Sequence, residues 1–172
     1  FGDEFYIVDF QDSDEADRVF AQDTAHFFDV TMRRKQLSRA LFDRLPAEKK
    51  VISLLSALAK EKQRGEPLLS AEERDYYASA FAVSGFTGAI NWYRNWARNW
   101  ERLEGVDETI DIPTLFIGAV DDLVIAPEHI EGMKPLVRNL DIRMLDDCGH
   151  WSQQEKPDEV NRLIIDWLVQ SR

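Results

Sequence analysis

Asp141-Ile142-Arg143-Met144-Leu145-Asp146-Asp147-Cys148-Gly149-His150-Trp151 decides how the rest of the chain is read. A short strand-like stretch, 141–145, runs into a turn that carries a glycine beside a histidine. A helix is expected to follow from about Lys156-Pro157-Asp158-Glu159 to Leu168. Gly149 is expected to let the backbone turn sharply and hold the His150 imidazole at the lip of a sheet. Upstream, Thr114-Leu115-Phe116-Ile117-Gly118-Ala119 reads as a buried strand followed by Asp121-Asp122. Strand then acid, strand then histidine, is an order that brings a base and its orienting carboxylate to one sheet edge.

Working outward, Ile112-Pro113 leads into the first of these strands and Pro127-Glu128 opens a helix between them. Two successive strand–helix units favour a parallel α/β sheet. Two strands alone make no stable sheet. The apolar face of the last helix (Val160, Leu163, Ile164, Trp167) therefore calls for a broader sheet, and the chain reads as part of a larger fold. Before Gly105 the character is helical. Residues 5–11, Phe-Tyr-Ile-Val-Asp-Phe-Gln, are expected to be extended, with no helix start before Ser13. Ala16, Val19, Phe20, Phe27 and Phe28 then recur at helical spacing. A second helix is expected over 47–62, with Val51, Leu54, Leu55 and Leu58 on one face, ending at the Gly65-Glu66-Pro67 loop. Ser70-Ala71-Glu72-Glu73 is a capping box opening a third helix. Ser84-Gly85-Phe86-Thr87-Gly88 breaks it, and a fourth helix is expected over 90–100.

Composition narrows the function classes. The net charge of −11, with acids and bases interleaved along 172 residues, argues against nucleic acid or an anionic membrane as partner. No apolar stretch approaches the roughly 20 residues that span a bilayer. A single cysteine, Cys148, forms no internal disulfide, so a reducing, cytoplasmic compartment is expected. The first residue is Phe1 rather than Met, which leaves an N-terminal leader open. Five Trp and ten Phe point to an aromatic-lined pocket or cap. Three scattered histidines and one cysteine make no metal cluster, and no Gly-rich phosphate loop is present.

Several stretches together resemble the C-terminal part of α/β-hydrolase-fold epoxide hydrolases. They are Phe10-Gln11, Ser84-Gly85-Phe86-Thr87-Gly88, Asn91-Trp92-Tyr93-Arg94-Asn95 and Asp147-Cys148-Gly149-His150-Trp151, with Glu155-Lys156-Pro157-Asp158-Glu159-Val160-Asn161 extending the last. The resemblance covers the whole chain. It implies the α/β class, as a fragment of an α/β-hydrolase fold in which a helical cap is followed by the last strand–helix units of a parallel sheet. The expected divisions are a core-to-cap lead-in at 1–11, the cap at 12–104 and the C-terminal part of the core at 105–172. The triad of that fold runs nucleophile, acid, histidine along the chain, and only the latter two are matched here. The family opens an epoxide with an aspartate nucleophile, forming an alkyl-enzyme ester that a histidine–acid pair hydrolyses. Two cap tyrosines hydrogen-bond the epoxide oxygen. The resemblance implies Tyr6 and Tyr93 as those donors, Asp122 as the acid, His150 as the base, a small apolar epoxide as substrate and no cofactor. The strands before the cap, which carry the nucleophile, are expected in a missing N-terminal half or a second chain. The 172-residue chain is expected to be inactive alone, and a homo-oligomer is left open.

The residue types fit that chemistry on their own terms. Epoxide opening leaves negative charge on a poor leaving group, and a phenol with a pKa of about 10 donates a hydrogen bond while staying protonated at neutral pH. The plain alternative for each tyrosine is core or surface packing; Tyr76 and Tyr77 are read that way. His26 and His129 read as helix residues. Asp121 is a competitor for the role of Asp122, while Asp146 and Asp147 are expected to bond locally around the turn. Trp92 and Trp151 flank the donors and are candidates to line an apolar pocket, against a core role. Cys148 reads as buried packing, and Trp96 with Trp100, at i,i+4, as a packing stripe. Two rival functions are a haloalkane or haloacid dehalogenase, which would use halide-binding Trp or Asn donors, and a non-catalytic truncated paralogue that binds ligand in the cap.

Overall fold

A computed structural model of the chain describes residues 5–170, the side chain of Asp12 excepted; the rest of the expected lead-in, residues 1–4, lies outside the described residues. The helices are α1 (Tyr6–Asp12), α2 (Glu15–Gln22), α3 (Thr24–Thr31), α4 (Arg39–Asp43), α5 (Leu54–Leu58), α6 (Ala71–Ser84), α7 (Thr87–Arg94), α8 (Trp96–Arg102), α9 (Pro127–Met133), α10 (Ser152–Glu155) and α11 (Pro157–Gln170). The strands are β1 (Arg33–Arg34), β2 (Glu66–Pro67), β3 (Thr114–Ala119) and β4 (Leu140–Leu145). They fall into two compact units. One joins the residues up to 33 with 45–105; the other joins 34–44 with the residues from 106 onward.

The first unit is helical around an aromatic core of Phe10, Phe20, Phe86 and Ile90, with Ala16 beneath them. Its rings meet edge to face, as at Phe10–Phe20 (5.7 Å between centroids, 81°) and Phe20–Phe86 (5.4 Å, 72°). This packing overrides local propensity at several places. Residues 6–12 form α1, not the expected extended segment. The aromatic and β-branched run reads as strand, and Phe5 at the N-cap position makes no side-chain cap. Yet the i,i+4 pair Tyr6 and Phe10 turns one helical face onto the core, and that burial decides the conformation. The helix expected from Ser13 onward is two helices, because the Asp23 carboxylate accepts the His26 N–H at 2.9 Å and starts α3 afresh. The helix expected over 47–62 shrinks to a 3₁₀ turn at Ala47–Lys49 and to α5. Ser53 caps α5 at its start, and Gln63 folds back onto the Ala57 and Lys60 carbonyls at its end. The 90–100 helix is interrupted at Asn95, whose side chain donates to the Asn91 carbonyl. Trp100 is 81% exposed, so Trp96 and Trp100 form no packing stripe among the described residues. The capping box of α6 is present in full, Ser70 N–H to Glu73 at 2.8 Å and Glu73 N–H to Ser70 at 3.2 Å. Gly85 ends that helix at φ 68°, where a side chain would be strained.

The second unit is a parallel β–α–β–α arrangement. β3 and β4 pair from Thr114↔Leu140 to Ala119↔Leu145. Ala119, Leu145, Cys148 and Val160 form its core, with Leu163 packed against it. Gly118 has no room for a side chain, since a Cβ would come within 2.7 Å of Phe116 and 2.8 Å of Met144. α4 joins this unit: Ser38 caps it and Phe42 is buried. On α11, Ile165, Leu168 and Val169 are exposed, as is Ile112 ahead of β3. Among the described residues no helix is long and apolar enough to cross a membrane.

Candidate active site

The two strand ends of the second unit build the acid–histidine pair. Past β3 the backbone is tied to the turn after β4, with Val120 N–H donating to the Leu145 carbonyl at 3.0 Å and Asp121 N–H to the Cys148 carbonyl at 2.9 Å. Asp122 follows, 7% exposed. Its Oδ1 accepts the Val124 and Ile125 N–H groups at 2.7 and 3.1 Å, which aims the carboxylate. Its two oxygens lie 3.1 and 3.2 Å from His150 Nδ1. An ionised carboxylate only accepts hydrogen bonds, so Nδ1 is the donor, and in the neutral imidazole the lone pair is then on Nε2. Burial raises the Asp122 pKa, but the His150 hydrogen bond, the His150 charge and the two backbone N–H groups outweigh it, and the net shift is downward. Asp122 is held as an anion.

The His150 side chain remains 46% exposed. Its turn does not use glycine as expected: the left-handed residue is Asp147, at φ 46°. Gly149 supplies room. A Cβ there would stand 2.9 Å from Glu155 Oε1, while Glu155 Oε2 accepts the Gly149 N–H at 3.1 Å. Cys148 is buried, and burial, followed by the charge of Glu155, pushes its thiol up to about 11. It is packing material rather than a thiolate. Trp151 sets its ring edge-on to His150, 5.2 Å between centroids at 70°.

Other acids are engaged elsewhere or exposed. Asp121 Oδ1 accepts the Arg39 N–H at 2.9 Å, and Asp146 and Asp147 are exposed. His26 Nε2 lies 3.0 Å from the Leu58 carbonyl, and His129 Nδ1 accepts the Ala126 N–H at the start of α9.

In the helical unit Tyr6 on α1 and Tyr93 on α7 meet directly, with ring centroids 5.5 Å apart at 79°, and each packs on Phe10. α7 is pinned by Arg94, which pairs with Asp17 and donates to the Ser13 carbonyl. Burial raises the Asp17 pKa, yet the bonds to Arg94 and Thr87 and the Arg94 charge bring it below the usual carboxylate value. Trp92, on the same helix as Tyr93, is 77% exposed. Tyr76 is exposed and Tyr77 packs on Phe28.

No family model matches the chain. Among curated proteins it is 40% identical over 98 residues to bifunctional epoxide hydrolase 2 of Mus musculus, covering 56% of this chain and 18% of that protein. It is 31% identical over 180 residues to epoxide hydrolase 3 of Siraitia grosvenorii, covering 98% of this chain and 54% of that one. Among solved structures it superposes on epoxide hydrolase A of Mycobacterium thermoresistibile with a TM-score of 0.76 at 33% identity, over 95% of this chain and 51% of that chain. A point mutant of the Solanum tuberosum epoxide hydrolase gives 0.77 at 30% identity, over 99% and 54%. The fold is that of the α/β-hydrolase epoxide hydrolases, in its C-terminal part. This epoxide-hydrolase-like chain spans about half the length of the Siraitia relative and of those structures, and less of the mouse protein. Sequence reasoning named Tyr6, Tyr93, Asp122 and His150 and passed over Arg39 and Glu155, whose side chains bond the Asp122 carbonyl and the Gly149 N–H. Glu155 had a signal in its place just past His150. Arg39 had none, because its contacts are remote in sequence.

Proposed function

We propose that the complete protein containing this chain hydrolyses a small apolar epoxide to a vicinal diol through an alkyl-enzyme ester. The observation that carries the reading is the Asp122–His150 pair: a buried, anionic carboxylate fixes the proton on Nδ1 and leaves Nε2 as a base. Tyr6 and Tyr93 donate hydrogen bonds to the epoxide oxygen as the C–O bond breaks and charge grows there. A carboxylate outside the 172 residues, in the same polypeptide or in a second chain, attacks the epoxide carbon and becomes the ester. His150 Nε2 then takes a proton from water, the hydroxide adds to the ester carbonyl, and Asp122 stabilises the imidazolium. On collapse the imidazolium gives its proton to the departing ester oxygen. The proton left on the added hydroxide neutralises the alkoxide formed from the epoxide oxygen, and the nucleophile returns as carboxylate; one water is consumed and no cofactor is used. Trp151 beside His150, and Trp92 in the complete protein, offer apolar lining for the substrate. The buried Cys148 thiol suits a reducing, cytoplasmic setting.

Isotope labelling tests the ester route. In H₂¹⁸O, with enzyme in excess and a single turnover, the diol should carry no label, because its new oxygen comes from the enzyme carboxylate. Label in the first-turnover diol would mean direct attack by water. Preferred turnover of halogenated substrates over epoxides would move the reading to a dehalogenase.

A further inference from the structure

We infer that Arg39 is a positioning residue for the acid–histidine pair. This rests on the proposed role of Asp122 and His150 and adds a residue from a distant part of the chain. The Arg39 side chain is only 16% exposed, although it carries a full charge. Its Nη1 donates to the backbone carbonyl of Asp122 at 3.2 Å, and its own backbone N–H donates to Asp121 Oδ1 at 2.9 Å. Asp121 in turn donates its N–H to the Cys148 carbonyl, two residues before His150. One residue thus holds both halves of the Asp121-Asp122 turn, and the same turn is bonded to the histidine loop. The Asp122 carboxylate is aimed by the Val124 and Ile125 N–H groups, but these fix it only relative to its own backbone. From outside its own loop that backbone is held on one side by the Cys148 carbonyl, through the Asp121 N–H, and on the other by Arg39.

The guanidinium is itself held. Nε bonds the Asp43 carboxylate at 2.9 Å, one turn along α4, and the group lies 5.9 Å from the centre of the Phe42 ring. Phe42 is buried and Ser38 caps the helix, so α4 is a firm base for the grip. The contacts at stake are 3.1 and 3.2 Å, with little reserve before a hydrogen bond is lost. A shift of about 1 Å in the Asp122 backbone is enough to break them, and misplacements of that size cost up to about a hundredfold in rate.

The test uses the complete protein with Arg39→Ala, Arg39→Lys and Asp121→Ala, and reads two quantities. Single-turnover kinetics separates ester formation from ester hydrolysis. Imidazole ¹⁵N NMR reports which nitrogen of His150 carries the proton. For Arg39→Ala the expected result is ester formation within twofold of the parent, ester hydrolysis slowed about tenfold or more, and a His150 signal changed from the Nδ1–H form to a mixture of tautomers. Arg39→Lys, which keeps a donor for the carbonyl, should recover most of the rate. Arg39→Ala removes only the guanidinium contact, because the backbone N–H bonded to Asp121 stays. Asp121→Ala removes that second contact, should shift the tautomer signal in the same direction, and carries the test should Arg39→Ala not fold. An unchanged tautomer signal in folded Arg39→Ala and Asp121→Ala would overturn the inference, as would equal slowing of both half-reactions. His150→Gln run alongside separates the two ideas. Ester hydrolysis that survives His150→Gln sinks the catalytic reading, and the tautomer signal alone then decides the role of Arg39.

Discussion

The Asp122 carboxylate is pulled two ways at once: burial favours the neutral acid, and four hydrogen-bond contacts favour the anion. The contacts win. Asp122→Asn keeps the shape but presents an amide, so His150 loses its anionic partner, and kcat should fall on the order of 10²–10⁴-fold. Stability carries the same signature. The folded pKa of Asp122 lies below its unfolded value of about 3.9, so its contribution is fully present above that value and is lost as pH falls through the depressed folded value. Thermal unfolding of parent and Asp122→Asn across pH should therefore show a gap at neutral pH that closes only in acid; a gap independent of pH would contradict it. Tyr93→Phe isolates the hydroxyl from the ring. The ring packing on Tyr6 and Phe10 is kept, so stability should stay within about 0.5 kcal/mol, while ester formation slows and ester hydrolysis does not. The contact between Asp122 and His150 was legible, because a strand followed by an acid and a strand followed by a histidine are local patterns. Asp121 against Asp122 was not: only the three-dimensional bond from Arg39 shows that Asp121 faces elsewhere.

At the scale of elements, legibility followed how local the deciding force is. The parallel strands, α9 and α11 follow from short apolar runs and from prolines at helix starts, and α6 from a capping box that is complete within four residues. The misread elements were decided by distant or competing contacts. α1 is a helix because its aromatic face meets the core. The breaks at Asp23, Ser53 and Asn95 come from polar side chains that bond the backbone in place of helix continuation. The aromatic core of the helical unit is then a measurable quantity. Phe20 is fully buried between Phe10, Phe27 and Phe86, and Phe20→Ala should cost about 3–5 kcal/mol, read by chemical denaturation. A loss under about 1 kcal/mol would mean that the ring cluster is not the core described here.

At the scale of the whole molecule, the second unit offers two paired strands among its described residues and leaves apolar side chains of α11 in solvent. The chain spans about half of the similar epoxide hydrolases of solved structure, and the proposed chemistry needs a carboxylate from outside the 172 residues. The isolated chain should therefore show no epoxide turnover, and turnover by the sequence-verified chain would contradict the account. The central claim is that His150 serves only the second half-reaction. Denaturing intact-mass spectrometry of the complete protein carrying His150→Gln, mixed with an apolar aryl epoxide, tests it most directly. The protein should become heavier by the mass of the epoxide, and this species should accumulate while diol release stalls. An unshifted mass with turnover continuing at the parent rate would contradict it.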